Sequence, residues 1–167
     1  MKLILALHDP ATTPLLLGDA FRSALAAAGA ERVQVNVDDE AVAPAMRFGP
    51  GVRVTALVSV WTTGSPTPVV DAVRRLDPSA DGWSVEERVP LAGPDVADGE
   101  RADALANVAL LRRPDDLTHD AWLRDWLERH TQVAIDTQGT FGYVQNPVLA
   151  ALTPDAPAVA GIVEELF

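Results

Sequence analysis

The chain has 167 residues, 48% of them hydrophobic, and a formal net charge of −11. That length holds one domain or two small packed modules, and the apolar content is enough for a full core, which excludes a disordered chain. Lys2 is the one lysine beside twelve arginines, so no stretch supplies the basic patch of a nucleic-acid surface.

The absence of cysteine excludes disulfides, thiol catalysis and thiolate-ligated metals. No apolar run reaches membrane-spanning length. The start, MKLILALHDP, carries five apolar residues before His8 and Asp9, too few for the core of an export signal. The expectation is an acidic cytoplasmic protein with neither a membrane nor a nucleic-acid partner.

Lys2 to His8 reads as a strand buried on both faces, since nearly every residue is apolar. After the loop Asp9–Thr13, Pro14 suits the first position of a helix with Thr13 as its cap. Leu17, Ala20, Phe21, Ala24, Leu25 and Ala28 share a face of that helix, and Gly29 ends it. Arg32 to Asp38 alternates as a half-exposed strand. Asp39 to Gly51 is a loop, and Gly49, Pro50 and Gly51 do not make a phosphate cradle, because no helix with Lys and Ser or Thr follows. Arg53 to Trp61 is a strand, Pro68 to Leu76 a helix with Val69, Val70 and Val73 inward, and Trp83 to Leu91 a fourth strand. Strand, helix, strand, strand, helix, strand is the order of a ferredoxin-like module. A linker over 93–104, rich in glycine, proline and acid, separates this module, 1–92, from a second, 105–167.

The second module opens with a strand, Leu105–Leu111, and the turn RRPDD. Thr118 is placed to cap a helix running to about Thr137. Leu123, Trp126, Leu127, His130 and Ala134 follow helical spacing, so His130 is expected on the apolar stripe beside Trp122 and Trp126. Thr140–Leu149 and Val159–Phe167 read as strands. The module then stops early, as a fragment of a longer chain or as a naturally short module, leaving a sheet edge without its usual neighbour and inviting pairing within the chain or with a second copy.

The run RRPDDLTHDAWLRDWLERH followed by GYVQNPV resembles the EthD family of the dimeric α/β-barrel superfamily. The likeness covers Leu105 to Phe167; the first hundred residues match only in layout. It implies an α+β chain of two tandem ferredoxin-like modules in a dimeric α/β-barrel arrangement, the second one truncated. It also implies oxidoreductase work on a small apolar compound without nucleotide, metal or other cofactor, and a homodimer.

Spacing alone leaves two readings of His130 equally open: an acid/base in an apolar pocket, or a core histidine tied to a carbonyl. The resemblance raises the first, because His130 matches the family's helix histidine. Tyr143 and Gln145 share one strand face, and a lined tyrosine can donate to an oxyanion; a phenol satisfied by a backbone acceptor is the favoured plain reading. Trp126, Trp122 and Trp61 could wall a ligand pocket, with core packing the favoured alternative. His8 beside Asp9, the exposed His119, and Arg112 with Arg113 rank lower. The three histidines show no ligand spacing, so no metal is expected. A lyase or cyclase using the same histidine, and a binding protein without chemistry, are the competing functions.

Overall fold

The computed structural model describes residues 1–47 and 51–167. Phe48, Gly49 and Pro50, part of the expected Asp39–Gly51 loop, lie outside the described residues. The chain is a mixed α+β protein with antiparallel strand pairing. It forms two compact units, 1–85 with 149–157 and 86–148 with 158–167. The division therefore falls at Val85, ahead of the 93–104 linker, and neither unit is continuous in sequence.

The first unit is built on β1 (Lys2–Leu7), every residue of which is buried. It lies between β3 (Ala56–Trp61) and β4 (Asp81–Val85), and β2 (Arg32–Val37) pairs with the far side of β3. Leu3, Leu5 and Leu7 face the helices and are fully buried, each contributing roughly 2 kcal/mol. The long N-terminal helix expected from the sequence is broken. A 3-10 turn at Pro10–Thr12 leads into α1 (Thr13–Leu16), and α2 (Asp19–Ala27) starts anew after Gly18. Asp9, not Thr13, caps the turn, accepting from Ala11 N at 2.9 Å. The break at Leu17–Gly18 leaves Leu17 exposed, while Phe21 and Leu25 keep their inward places. Gly29, at φ 91°, ends the helix as expected.

Helix α3 (Thr67–Leu76) buries Val69, Val70, Ala72 and Val73. Asp77 follows it and is 1% exposed. Its carboxylate accepts from His8 N (2.7 Å), Asp9 N (3.0 Å), Ser79 N (2.9 Å) and Ser79 Oγ (2.5 Å). The single strand expected over Trp83–Leu91 is two strands. Glu86 and Glu87 separate β4 from β5 (Arg88–Leu91), which pairs with β7 in the second unit. Pro90 lacks an N–H, so β5 suits an edge, and its register shifts between Arg88 and Leu91.

The second unit orders its strands β5, β7 (Gly142–Ala151), β8 (Gly161–Leu166) and β6 (Ala106–Leu111). Between β6 and β7 runs one long helical stretch: α4 (His119–Arg124), a π-helical segment Asp125–His130, and α5 (Thr131–Gln138). Thr118 caps it as expected, accepting from Ala121 N at 3.2 Å. Gly139 closes it at φ 71°. No described helix is long and apolar enough to cross a membrane.

Burial pushes the Asp77 carboxyl up, and the bonds it accepts from Ser79, Asp9 and His8 outweigh this, holding it at about 2. A folded value below the ordinary carboxylate range stabilises fully above about pH 4 and is lost as pH falls toward 2. The contribution is about 2 kcal/mol. Urea unfolding of the wild type and Asp77→Asn between these limits is expected to converge at the acid end, the variant showing a flatter profile.

Candidate functional site

The helix of the second unit sets the site by its phase. Trp122 and Trp126 are buried and stacked, ring centroids 5.1 Å apart at 28°. An unbroken α-helix would place His130 next on this stripe. The π segment inserts one residue, so Thr131 takes that place. Its hydroxyl donates to Leu127 O (2.8 Å) and Trp126 O (3.1 Å). Ala134 is buried one turn further on. His130 is exposed. Its expected position on the apolar face is therefore corrected: the ring points away from the stripe because the helix is locally overwide.

The strands beneath present a matching face. Tyr143 and Gln145 from β7, Val163 and Glu165 from β8, and Asn107 and Ala109 from β6 are brought into line by register, Tyr143 opposite Glu165 and Gln145 opposite Val163. Trp122, Trp126, Ala134, Tyr143 and Val163 form one buried cluster, with Leu91, Ala109 and Leu111 packed against it. Gly161 makes the indoles fit. A Cβ there would lie 2.6 Å from Cη2 of Trp126 and 3.1 Å from Cη2 of Trp122.

Within this apolar seam lies a polar group that sequence spacing half revealed. Gln145 is fully buried and donates through Nε2 to Trp126 O at 3.2 Å, a carbonyl the π segment leaves open to it. Glu165 is 6% exposed and accepts from Asn107 Nδ2 at 2.8 Å. Burial pushes the Tyr143 phenol up; the Glu165 carboxylate adds to this, while the side chains of Trp126 and Gln145 pull the other way. The phenol therefore stays protonated across the ordinary pH range. Trp126 Nε1 and Gln145 Oε1 nonetheless have no partner of hydrogen-bonding geometry among the described residues. A buried donor and a buried acceptor left open cost free energy, and each invites a complementary atom. Glu165 and Asn107 escaped the sequence reading. The alternation Gly161, Val163, Glu165, which sets a carboxylate on an otherwise apolar face, was the available signal.

The other candidates lie elsewhere. Trp61 belongs to the first unit, between Lys2 Nζ at 4.8 Å and the Arg32 guanidinium carbon at 3.5 Å. His8 is held at both ring nitrogens, Nδ1 against Arg53 O (3.0 Å) and Nε2 against Asp81 Oδ2 (3.1 Å). Both partners are acceptors and neither nitrogen is left for a substrate, so His8 is a tie between chain segments. Arg113 spends its guanidinium on Pro114 O and Leu117 O, closing the turn before the helix. Arg112 and His119 are exposed. No cluster of metal-binding side chains occurs among the described residues. A surface depression of about 170 Å³ in the first unit is lined by Pro66, Thr67, Val70, Asp71, Arg74 and Leu152.

Gly161→Ala is expected to force the indoles off the sheet, at a cost of about 1–3 kcal/mol. Urea unfolding should show the loss and tryptophan emission should shift, because Trp126 moves relative to Gln145. Unchanged stability and emission would refute the close approach as a constraint.

The chain matches no family model, no curated protein and no solved structure.

Proposed function

We propose that the second unit binds a small, largely apolar organic molecule at the seam between its helix and sheet, as an EthD-like cytoplasmic protein working without nucleotide or metal. The observation that carries this is the open pair, Trp126 Nε1 and Gln145 Oε1, buried beside a protonated Tyr143. One donor and one acceptor within an indole- and aliphatic-lined seam complement a neutral molecule bearing a carbonyl or hydroxyl head. A neutral head is favoured because the Glu165 carboxylate on the same face repels an anion.

Strand order supports the kinship. The first unit runs β4, β1, β3, β2, the antiparallel order of a split βαβ module. In the second unit the order β7, β8, β6 with a helix between β6 and β7 repeats three quarters of it. The tandem ferredoxin-like architecture is the fold assignment that goes with this proposal.

In the catalytic form of this proposal the bound compound is oxidised by dioxygen, which takes up its two electrons and two protons as hydrogen peroxide, while Tyr143 donates a hydrogen bond to the compound's oxygen. His130 stands outside the seam, on the solvent side of the helix, and serves at most at the entrance. Exposure of His130 favours a second form of the proposal, in which the unit binds without turnover.

Titration with neutral aromatic ketones and phenols, followed by tryptophan emission, is the test. Saturable quenching is expected. Tyr143→Phe and Gln145→Leu, checked by circular dichroism, should each weaken it about tenfold, the worth of roughly one hydrogen bond. Trp61→Phe should keep the response. No saturable response, or equal affinity in all variants, sinks the site. Oxygen uptake with a compound that binds separates the oxidoreductase from the binding-only form, and His130→Ala should leave affinity unchanged.

A further inference from the structure

His8, just past the end of β1, has both ring nitrogens against acceptors. Nδ1 lies 3.0 Å from the carbonyl oxygen of Arg53, and Nε2 lies 3.1 Å from Oδ2 of Asp81 in β4. A carbonyl oxygen only accepts, and so does an ionised carboxylate. A neutral imidazole carries one N–H and serves one of these oxygens; the other contact would set lone pair against lone pair. Both bonds exist together only when the ring and the Asp81 carboxyl hold one proton more than a neutral ring and a carboxylate do. Loss of that proton ends the arrangement. The side chains of His8 and Asp81 are 12% and 16% exposed, so water does not readily replace either partner.

Three carboxylates stand about His8. Asp81 bonds its ring from β4. Asp77, which follows α3, accepts from its backbone N–H at 2.7 Å. Asp9 is the next residue, and its carboxylate caps the 3-10 turn. The Arg53 guanidinium is drawn off to Asp38, donating from Nε at 2.9 Å and Nη2 at 2.6 Å, and Arg47 Nε donates to the same oxygen at 2.9 Å. A positive ring is the form that these carboxylates attract.

The Arg53 carbonyl lies on the segment that leads into β3. Two residues on, Thr55 is pinned to Leu7 O, through N at 2.8 Å and Oγ1 at 3.2 Å, and those bonds need no titrating group. Gly51, Val52 and Arg53 are exposed and Val54 is half-buried, so the His8 bond is what fastens this stretch to the end of β1. We propose that His8 is a proton-operated latch on the 51–54 segment. Protonated, the ring holds Arg53 O and Asp81 together. Deprotonated, it keeps its bond to Asp81 and releases Arg53, because the carboxylate charge retains the remaining proton at Nε2 and leaves Nδ1 bare. The segment is fastened at low pH and loosens as pH rises, in the range where histidine side chains change charge. The inference does not depend on the ligand proposal, which concerns the other unit.

The full chain with His119→Gln and His130→Gln keeps His8 as its single histidine, and both replaced side chains are exposed. Nitrogen-15 spectra of the His8 ring are expected to show both nitrogens protonated at about pH 5 and Nδ1 bare at about pH 8, with the Arg53 carbonyl carbon shifting over the same range. Tryptic cleavage of the Arg53–Val54 bond reports the release, because the protease needs this segment loose. Its rate, divided by that of an unstructured peptide of the same sequence, should rise about tenfold between these limits, the worth of roughly one hydrogen bond. His8→Phe should be cleaved at the fast rate at every pH. Asp81→Asn should be cleaved slowly at every pH, because its amide donates to Nε2 and a neutral ring then serves Arg53 through Nδ1–H. If His8→Phe fails to fold, the ring spectra and Asp81→Asn decide. A bare ring nitrogen at the acid limit, a cleavage ratio that ignores pH, or an Asp81→Asn that responds as the wild type does overturns the proposal.

Discussion

The second unit depends on how closely two stacked indoles approach a strand. Trp122 and Trp126 lie on β8 where Gly161 offers no side chain, and the room is smaller than one methyl group. Three features go with that contact. The helix widens into a π segment just where Trp126 seats. The Trp126 carbonyl, no longer tied to the residue four on, accepts instead from Gln145 and Thr131. And the stripe shifts by one residue, which carries His130 into solvent. A π segment is uncommon because its backbone packing is poorer than that of an α-helix. Here Gln145, fully buried and donating into the widened turn, offsets some of that cost. The polar seam and the helix irregularity are one arrangement seen from two sides.

The first unit solves a different problem, tying loops to strand ends, and does so with charge. Asp77 gathers the backbone of His8 and Asp9 and both groups of Ser79, and the His8 ring reaches from there to Arg53 O and Asp81. Asp38 is held in the same way: Arg47 foremost, with Arg53, keeps its carboxyl below the usual range against the opposing effect of burial. The Asp77 node satisfies backbone N–H groups where no ladder reaches them, while Asp38 holds Arg47, whose guanidinium donates in turn to the carbonyls of Val42 and Ala45. They also explain why a histidine next to an acid in sequence is not an active site. His8 bonds the carboxylate of Asp81, distant in the chain, and has no nitrogen left over.

Much of this was legible in the residues. The buried β1, the inward valines of α3, the Thr118 cap and the shared face of Tyr143 and Gln145 all follow from period and capping chemistry, which are local. What escaped was non-local. Nothing in LERH announces a π segment, and the close packing that accompanies it involves Gly161, some thirty residues on in a strand that passes under the indoles. Nothing in Trp83–Leu91 announces that Glu86 and Glu87 stand between strands belonging to different units. The break at Leu17–Gly18 was readable from the glycine, yet the apolar spacing across it argued for one helix. Glu165 was only one position of an expected strand until register set it opposite Tyr143.

Apolar pattern, in short, reports that a strand is covered and is silent on what covers it. LILAL is wholly apolar and fully buried between two strands, whereas ANVALL carries Asn107 and is half-buried. β1 lies between β3 and β4, and every one of its residues is buried. The atoms under Trp126 are a sharper sign than apolar pattern, because Trp126 Nε1 and Gln145 Oε1 are polar groups of a kind that folded proteins ordinarily pair, and the complement they call for can be drawn from one donor and one acceptor.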